Sequence, residues 1–241
     1  MKYEFEYMNQ ILGLFDKVYE SEKEKIKELA VLFADNIRSN RIIHVFGTGH
    51  SHMVGIELFC RAGGLANVNA LLDPDVLTSN GAQRSGAIEK LSGLSDILYD
   101  QYKIQAGDIM IITSNSGRNA MPIEMAMRAK KEGVYTIALT NLHQSRHTTS
   151  RHPSGKRLFE IVDMVLDNCV PDGDGLMTVG GVLTGPGSTM SSLLILNTIV
   201  NEALQILAKE GAELPVFQSQ NVDGFNNDAL YAKYGDRVKH F

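Results

Sequence analysis

The chain has 241 residues, 44% of them hydrophobic, with 28 Asp and Glu against 23 Lys and Arg, for a formal charge of −5. That length buries a core without cross-links, and the two cysteines, Cys60 and Cys169, are too few for a disulfide scaffold or a thiolate metal cage. The negative field disfavours nucleic acid and anionic membranes. The charged N-terminus MKYEFEYMNQ has no apolar signal core, so a cytoplasmic protein with neither partner is expected.

Residues 3–38 carry helical apolar spacing, including Leu12, Phe15, Tyr19, Ile26, Leu29, Phe33 and Ile37, with a possible break over Glu20 to Lys25. RIIHVFGTGHSHMVGIELFCRAGG then reads as a strand ending at Phe46, a small-residue turn, and a helix from about Ser51 to Arg61. ANVNALL is a second strand, and DPDVLTSNGAQRSGAIEK is an exposed loop or lid leading into a short helix. The strand-turn-helix pattern repeats with Ile109 to Thr113, a turn over Ser114 to Asn119, and a helix from about Met121 to Lys131 that Gly133 ends. VYTIALT and IVDMVLD supply further strands, LMTVG a possible short one, and a long helix capped by Ser188 or Thr189 runs to about Gly211.

Near-continuous apolar strands joined by helices predict an α/β fold, a parallel sheet covered on both faces. The expected divisions are an N-terminal helical extension over 1–40, a main domain over 41–215, and a wrapping tail over 216–241.

FGTGHS and TSNSGRN each follow a strand and precede a helix, where amides and hydroxyls converge on an anion. The candidates are Thr48, Gly49 and Ser51 in the first turn, and Ser114, Asn115, Ser116, Gly117 and Asn119 in the second. Both turns should open at the same carboxyl edge of the sheet, and a phosphate fits their chemistry. His52 stands where a dinucleotide fingerprint requires its third glycine, and no P-loop motif occurs. No cofactor is expected.

With these two turns the chain resembles the SIS (sugar isomerase) domain family, whose members bind phosphosugars on a flavodoxin-like parallel sheet. Through TSRHPSGKRLFEIVD, CVPDGD, TGPGST and PVFQSQNVDGFNND it is similar over nearly its whole length to the UPF0309 group. The resemblance implies that Ser114 and Ser116 hold a phosphate, with Asn119 in the place of a usual Thr or Ser, and that Thr48 and Ser51 lie near the sugar. It also implies a homodimer or homotetramer with residues of neighbouring subunits near the ligand.

An aldose-ketose isomerase needs a base beside the carbon that loses its proton. Glu57, six residues after Ser51, is one candidate, since resembling isomerases and etherases place a glutamate on the corresponding helix. His143, His147 and His152, in a basic segment after the strand ending near Thr140 and read as a loop, are the others. No Glu stands between His143 and His147 as in H-E-x-x-H, so no metal site is expected. His44 reads as a packed strand residue, and Asn197, Asn201 and Glu202 as structural or ligand-facing polar groups on the long helix. The expected function is a phosphosugar-binding protein acting as an aldose-ketose isomerase. The alternatives are a sensor without turnover and a lyase acting on an N-acetylmuramic acid phosphate ether.

Overall fold

In a computed structural model, which describes residues 2–241, helix α1 (Glu6–Arg38) runs unbroken for 33 residues. The break expected at Glu20 to Lys25 does not occur, because the charges there pair along the helix: Lys23 with Glu20, Lys25 with Glu22 and Lys27 with Glu24. Glu22 is turned inward, and burial raises its carboxyl above the usual range while Lys25 partly offsets the effect.

The sheet contains β1 (Ile43–Gly47), β2 (Val68–Ala70), β3 (Ile109–Thr113), β4 (Tyr135–Thr140) and β5 (Met164–Asp167), all parallel, in the spatial order 2-1-3-4-5. This is the flavodoxin-like order, and strand succession reverses between β1 and β3. Helix α2 (Met53–Leu58) follows β1, α3 (Ala82–Ile88) and α4 (Leu94–Tyr99) lie between β2 and β3, and α5 (Ala120–Lys131) follows β3. Helix α6 (Leu142–His147) follows β4.

Strand periodicity divides the core between two faces. Ile43, Val45, Ile109, Ile111, Ile137 and Leu139 pack with α1, α2 and the long helix α7 (Ser188–Lys209). Phe46, Met110, Ile112 and Ala138 pack on the other face with α4 and α5, whose Met121 and Met125 are core residues. Leu29 and Phe33 of α1 are fully buried in the first of these layers. By length and composition α7 is apolar enough to cross a membrane; here its apolar residues serve the core against α1 and the sheet.

Two local expectations change. The predicted helix from Ser51 to Arg61 is a 3-10 turn over His50–His52 followed by α2, because Phe59 is extended and Cys60 has φ +45°. LMTVG is one arm of an antiparallel hairpin, β6 (Gly175–Val179) with β7 (Val182–Pro186), and β7 is not among the expected strands.

The tail carries α8 (Asp228–Tyr234) and packs Phe217, Tyr234 and Val238 over Ile42 and Ala66. It is fastened by a buried polar cluster. Arg237 Nη2 donates to Asp108 Oδ2 at 2.5 Å, and His44 Nε2 lies 3.0 Å from the same oxygen. Asn69 Nδ2 donates to the Arg237 carbonyl at 3.2 Å. The strand histidine is therefore packed and satisfied, as its sequence position suggested. Burial lowers the His44 pKa. At Asp108, burial opposes ionisation, but hydrogen bonds from His44 and from the Ile42 and Gln105 amides outweigh it and hold the carboxyl below its usual range.

Candidate functional site

The two turns leave the carboxyl edge at β1 and β3, the neighbours between which the strand order reverses, and their helices go to opposite faces of the sheet. A crevice at that edge is where open α/β sheets place ligands. At Gly47 a Cβ would come within 2.6 Å of the Ser51 carbonyl oxygen, so the chain can fold back there only without a side chain. Gly117 has φ +55°, and a Cβ there would meet Ser145 Oγ at 2.9 Å.

The second turn is braced from behind. Thr140 Oγ1 lies 2.7 Å from the Ser114 carbonyl and 3.0 Å from that of Asn115. Ser145 Oγ donates to the Ser116 carbonyl at 3.0 Å, and the buried Arg157 donates to the same oxygen. The Gly117 amide donates to Ser114 Oγ at 3.2 Å, and Asn168 Nδ2 donates to Asn115 Oδ1 at 2.6 Å. These bonds preset the backbone before any ligand arrives, and the turn opens directly into α5, whose N-terminus favours an anion.

A carboxylate absent from the sequence-based candidates joins the two turns. Glu89, just past α3, accepts from Thr48 Oγ1 at 2.8 Å and from Asn119 Nδ2 at 2.7 Å, one donor from each turn. Its own carbonyl accepts the Met121 amide at 3.2 Å, which ties the segment to the start of α5. Arg151 Nη1 donates to Asn119 Oδ1 at 3.1 Å and extends the chain outward. A signal for Glu89 was available. It is the single acidic residue between Asp75 and Asp96, in the polar segment that must cross to β3.

On the α7 side, a cleft of about 310 Å³ is lined by His50, Ser51, Asn115, Asp174, Thr189 and Ser192 among others. Asp174 forms the cap of α7 in place of the expected Ser188 or Thr189. Its Oδ1 accepts the Ser188 amide at 2.6 Å and the Gly187 amide at 3.1 Å, and Ser188 Oγ donates to its Oδ2 at 2.7 Å.

The remaining candidates lie elsewhere. Glu57 faces a separate cavity of about 250 Å³ with Arg61 and Asn197; it is ion-paired with Arg61, and Asn197 Nδ2 is 3.4 Å from its Oε1. Asn201 donates to the Asn197 carbonyl, and Glu202 accepts from Gln205. His143 and His147, expected in a loop, sit on α6, where Asn141 caps the helix by accepting the Gln144 amide at 3.0 Å. His143 Nδ1 is 2.9 Å from exposed Asp172, and His147 Nδ1 donates to the His143 carbonyl at 2.8 Å. His152 instead approaches Glu124 of α5 at 3.4 Å. Among the described residues, no three His, Cys, Asp or Glu side chains converge as a metal site.

A family model described as the SIS domain matches residues 6–141. A UPF0309 protein of Caldanaerobacter subterraneus subsp. tengcongensis is 38% identical over 241 residues, covering 97% of this chain and 98% of its own. Another, from Geobacillus thermodenitrificans, is 37% identical over 238 residues, covering 97% and 94%. Among solved structures, the phosphoheptose isomerase of Neisseria gonorrhoeae superposes with a TM-score of 0.59 at 16% identity, over 82% of this chain and 95% of that one. The NanR protein of Vibrio vulnificus, complexed with ManNAc-6P, gives 0.55 at 16% identity, over 85% and 63%. These two likenesses establish a shared fold.

Proposed function

The chain belongs to the SIS domain family and to its UPF0309 group, and on that premise we propose that it binds a sugar phosphate across its two turns and interconverts aldose and ketose forms. The observation that carries this reading is Glu89, held at 2.8 Å by Thr48 of the first turn and at 2.7 Å by Asn119 of the second. The phosphate lies on Ser114, Ser116 and Asn119 at the start of α5, where the helix dipole and hydroxyl donors favour an anion. The sugar reaches toward Thr48, Ser51 and the cleft with His50, Asp174 and Thr189. The fold neighbours include a phosphoheptose isomerase and a protein complexed with ManNAc-6P, and both are compatible with a sugar phosphate here.

In the proposed reaction Glu89 takes the C2 proton of the open-chain aldose phosphate, and the C–H electron pair forms the C1–C2 double bond as the carbonyl oxygen becomes the enediolate oxygen. Return of that proton to C1, with transfer of the O2 proton to O1, completes the ketose without net gain or loss of atoms. Ser51 and Asn115, which line the cleft on the sugar side, supply donors that stabilise the developing charge. Glu89 takes this role in preference to Glu57, whose carboxylate is engaged by Arg61 in another cavity. The reading includes a cytoplasmic setting and a homodimer at minimum.

The test is exchange of the C2 hydrogen in deuterated water across a panel of aldose phosphates. Glu89→Gln should lower exchange and isomer formation together by about two or more orders of magnitude while ligand affinity is largely kept. Glu57→Gln should leave both near wild type. An eliminated product in place of a ketose would identify a lyase, and wild-type binding without exchange would identify a sensor.

A further inference from the structure

Elsewhere in the molecule arginines pair with carboxylates: Arg38, Arg61, Arg84, Arg128 and Arg237 each have at least one. Around the second turn the pattern is different. Arg118 Nη2 donates to Thr149 Oγ1 at 3.1 Å, and Arg151 Nη1 to Asn119 Oδ1 at 3.1 Å. Arg157 Nη2 donates to the Ser116 carbonyl, to Ser145 Oγ at 3.2 Å and to Thr148 Oγ1 at 2.9 Å. All of these acceptors are neutral.

Arg157 is only 5% exposed, and the Nε atoms of both Arg157 and Arg118 are buried without a hydrogen-bond partner. The nearby Glu160 carboxylate accepts the Arg157 backbone amide at 2.7 Å rather than its guanidinium. Burial pushes the Arg157 pKa down, and repulsion from Arg118 adds to the effect. Holding the buried Arg157 beside the part-buried Arg118 costs stability unless an anion joins them. The same neighbourhood holds Glu89, which would repel a phosphate on Ser116 if nothing intervened. Arg151 and Asn119 stand in line with that carboxylate, so positive charge is placed where two negative groups must coexist.

We infer that Arg118, Arg151 and Arg157 are the counter-charge of the second turn and make it selective for a phosphomonoester dianion over a neutral sugar end. The inference rests on the reading that the Ser114–Asn119 turn holds phosphate. Arg151 reaches the turn through Asn119 Oδ1, Arg118 belongs to the turn itself, and Arg157 polarises it through the Ser116 carbonyl. The hydroxyls and amides of the turn supply direction, and the guanidiniums supply charge.

Calorimetric titration of the full chain with inorganic phosphate, at low and high sodium chloride, tests this. Arg118→Gln and Arg151→Gln should each weaken phosphate about tenfold or more and flatten the salt dependence. Ser116→Ala should weaken it while keeping the wild-type salt dependence. Arg151→Lys, which retains the charge, should keep most of the affinity. Arginine variants that bind like wild type while Ser116→Ala binds weakly would overturn the counter-charge and leave the phosphate turn standing. Unaltered binding in Ser116→Ala, or no phosphate binding by wild type, would overturn the turn and the inference together. Arg151 is exposed, so Arg151→Gln decides the matter if Arg118→Gln fails to fold.

Discussion

Thr48 Oγ1 donates to Glu89 Oε2 across 2.8 Å, joining the turn after β1 to a residue 41 positions later in the chain. Hydrogen bonds to a charged partner contribute about 1.5–3 kcal/mol, so this contact both positions the carboxylate and fixes the separation of the two turns. Thr48→Val keeps the shape and removes the donor. It should reduce C2 exchange by about tenfold or more while phosphate affinity stays close to wild type, as measured by exchange rates beside calorimetry. An equal loss in both readouts would make Thr48 a binding residue only.

Gly117→Ala places a Cβ 2.9 Å from Ser145 Oγ and 3.1 Å from Leu158 Cβ, on a backbone with φ +55°. We expect a stability loss of about 1–3 kcal/mol in urea unfolding. Phosphate affinity should fall with it, since the turn must shift to admit the methyl group. Gly13→Ala, on α1 with no atom within 4 Å of the added carbon, is the matched control and should be neutral or slightly stabilising.

Asp174→Ala removes the acceptor of the Gly187 and Ser188 amides at the start of α7. Loss of a helix cap costs about 1 kcal/mol, and α7 packs in the main core with α1. Thermal and urea unfolding should both report that loss. Asp174→Asn should recover part of it, because both amides donate to the one oxygen Oδ1, which Asn retains, while the acceptor of the Ser188 hydroxyl at Oδ2 is lost.

The cluster under the tail predicts a pH dependence. His44 has its pKa lowered by burial, so its contribution to stability is present above its ordinary value of 6.5 and is lost progressively as pH falls below it. Asp108 is also lowered, so its contribution is present above 3.8 and is lost as pH falls below that value. Both act in the same direction. Unfolding free energy should decline on acidification from pH 7, first through the histidine and then through the carboxylate. His44→Gln should flatten the first part of the curve, and a wild-type curve flat from pH 7 to 5 would remove His44 from the account.

Self-association is expected at the apolar surface near the hairpin, where Val179, Val182 and Leu183 are each more than half exposed. Sedimentation equilibrium should give at least a dimer. Val182→Lys should shift the mass toward the monomer, whereas a monomer mass at every concentration for wild type would exclude the assembly.

Local chemistry determined the parts of this protein that the sequence by itself made readable. Ile109 to Thr113 is a strand because five apolar or β-branched residues run together. The turns before α2 and α5 are legible because glycine and small hydroxyl residues interrupt an apolar run, and the buried role of His44 follows from its place inside β1. The continuity of α1 was less legible, since Glu20 to Lys25 looks polar all round until Glu22 is seen to be buried. The hairpin arm Val182–Pro186 was hidden because its exposed apolar residues and Gly185 carry no core-facing alternation. Only the tertiary structure decided which carboxylate meets the two turns. Glu57 is close to Ser51 along the chain yet faces Arg61 and Asn197, while Glu89 reaches Thr48 and Asn119 over separations of 41 and 30 residues. Strand and turn preferences are set by neighbours a few residues apart, whereas that meeting depends on the crossover from β2 to β3 and on the reversal of strand order between β1 and β3, which no local pattern encodes.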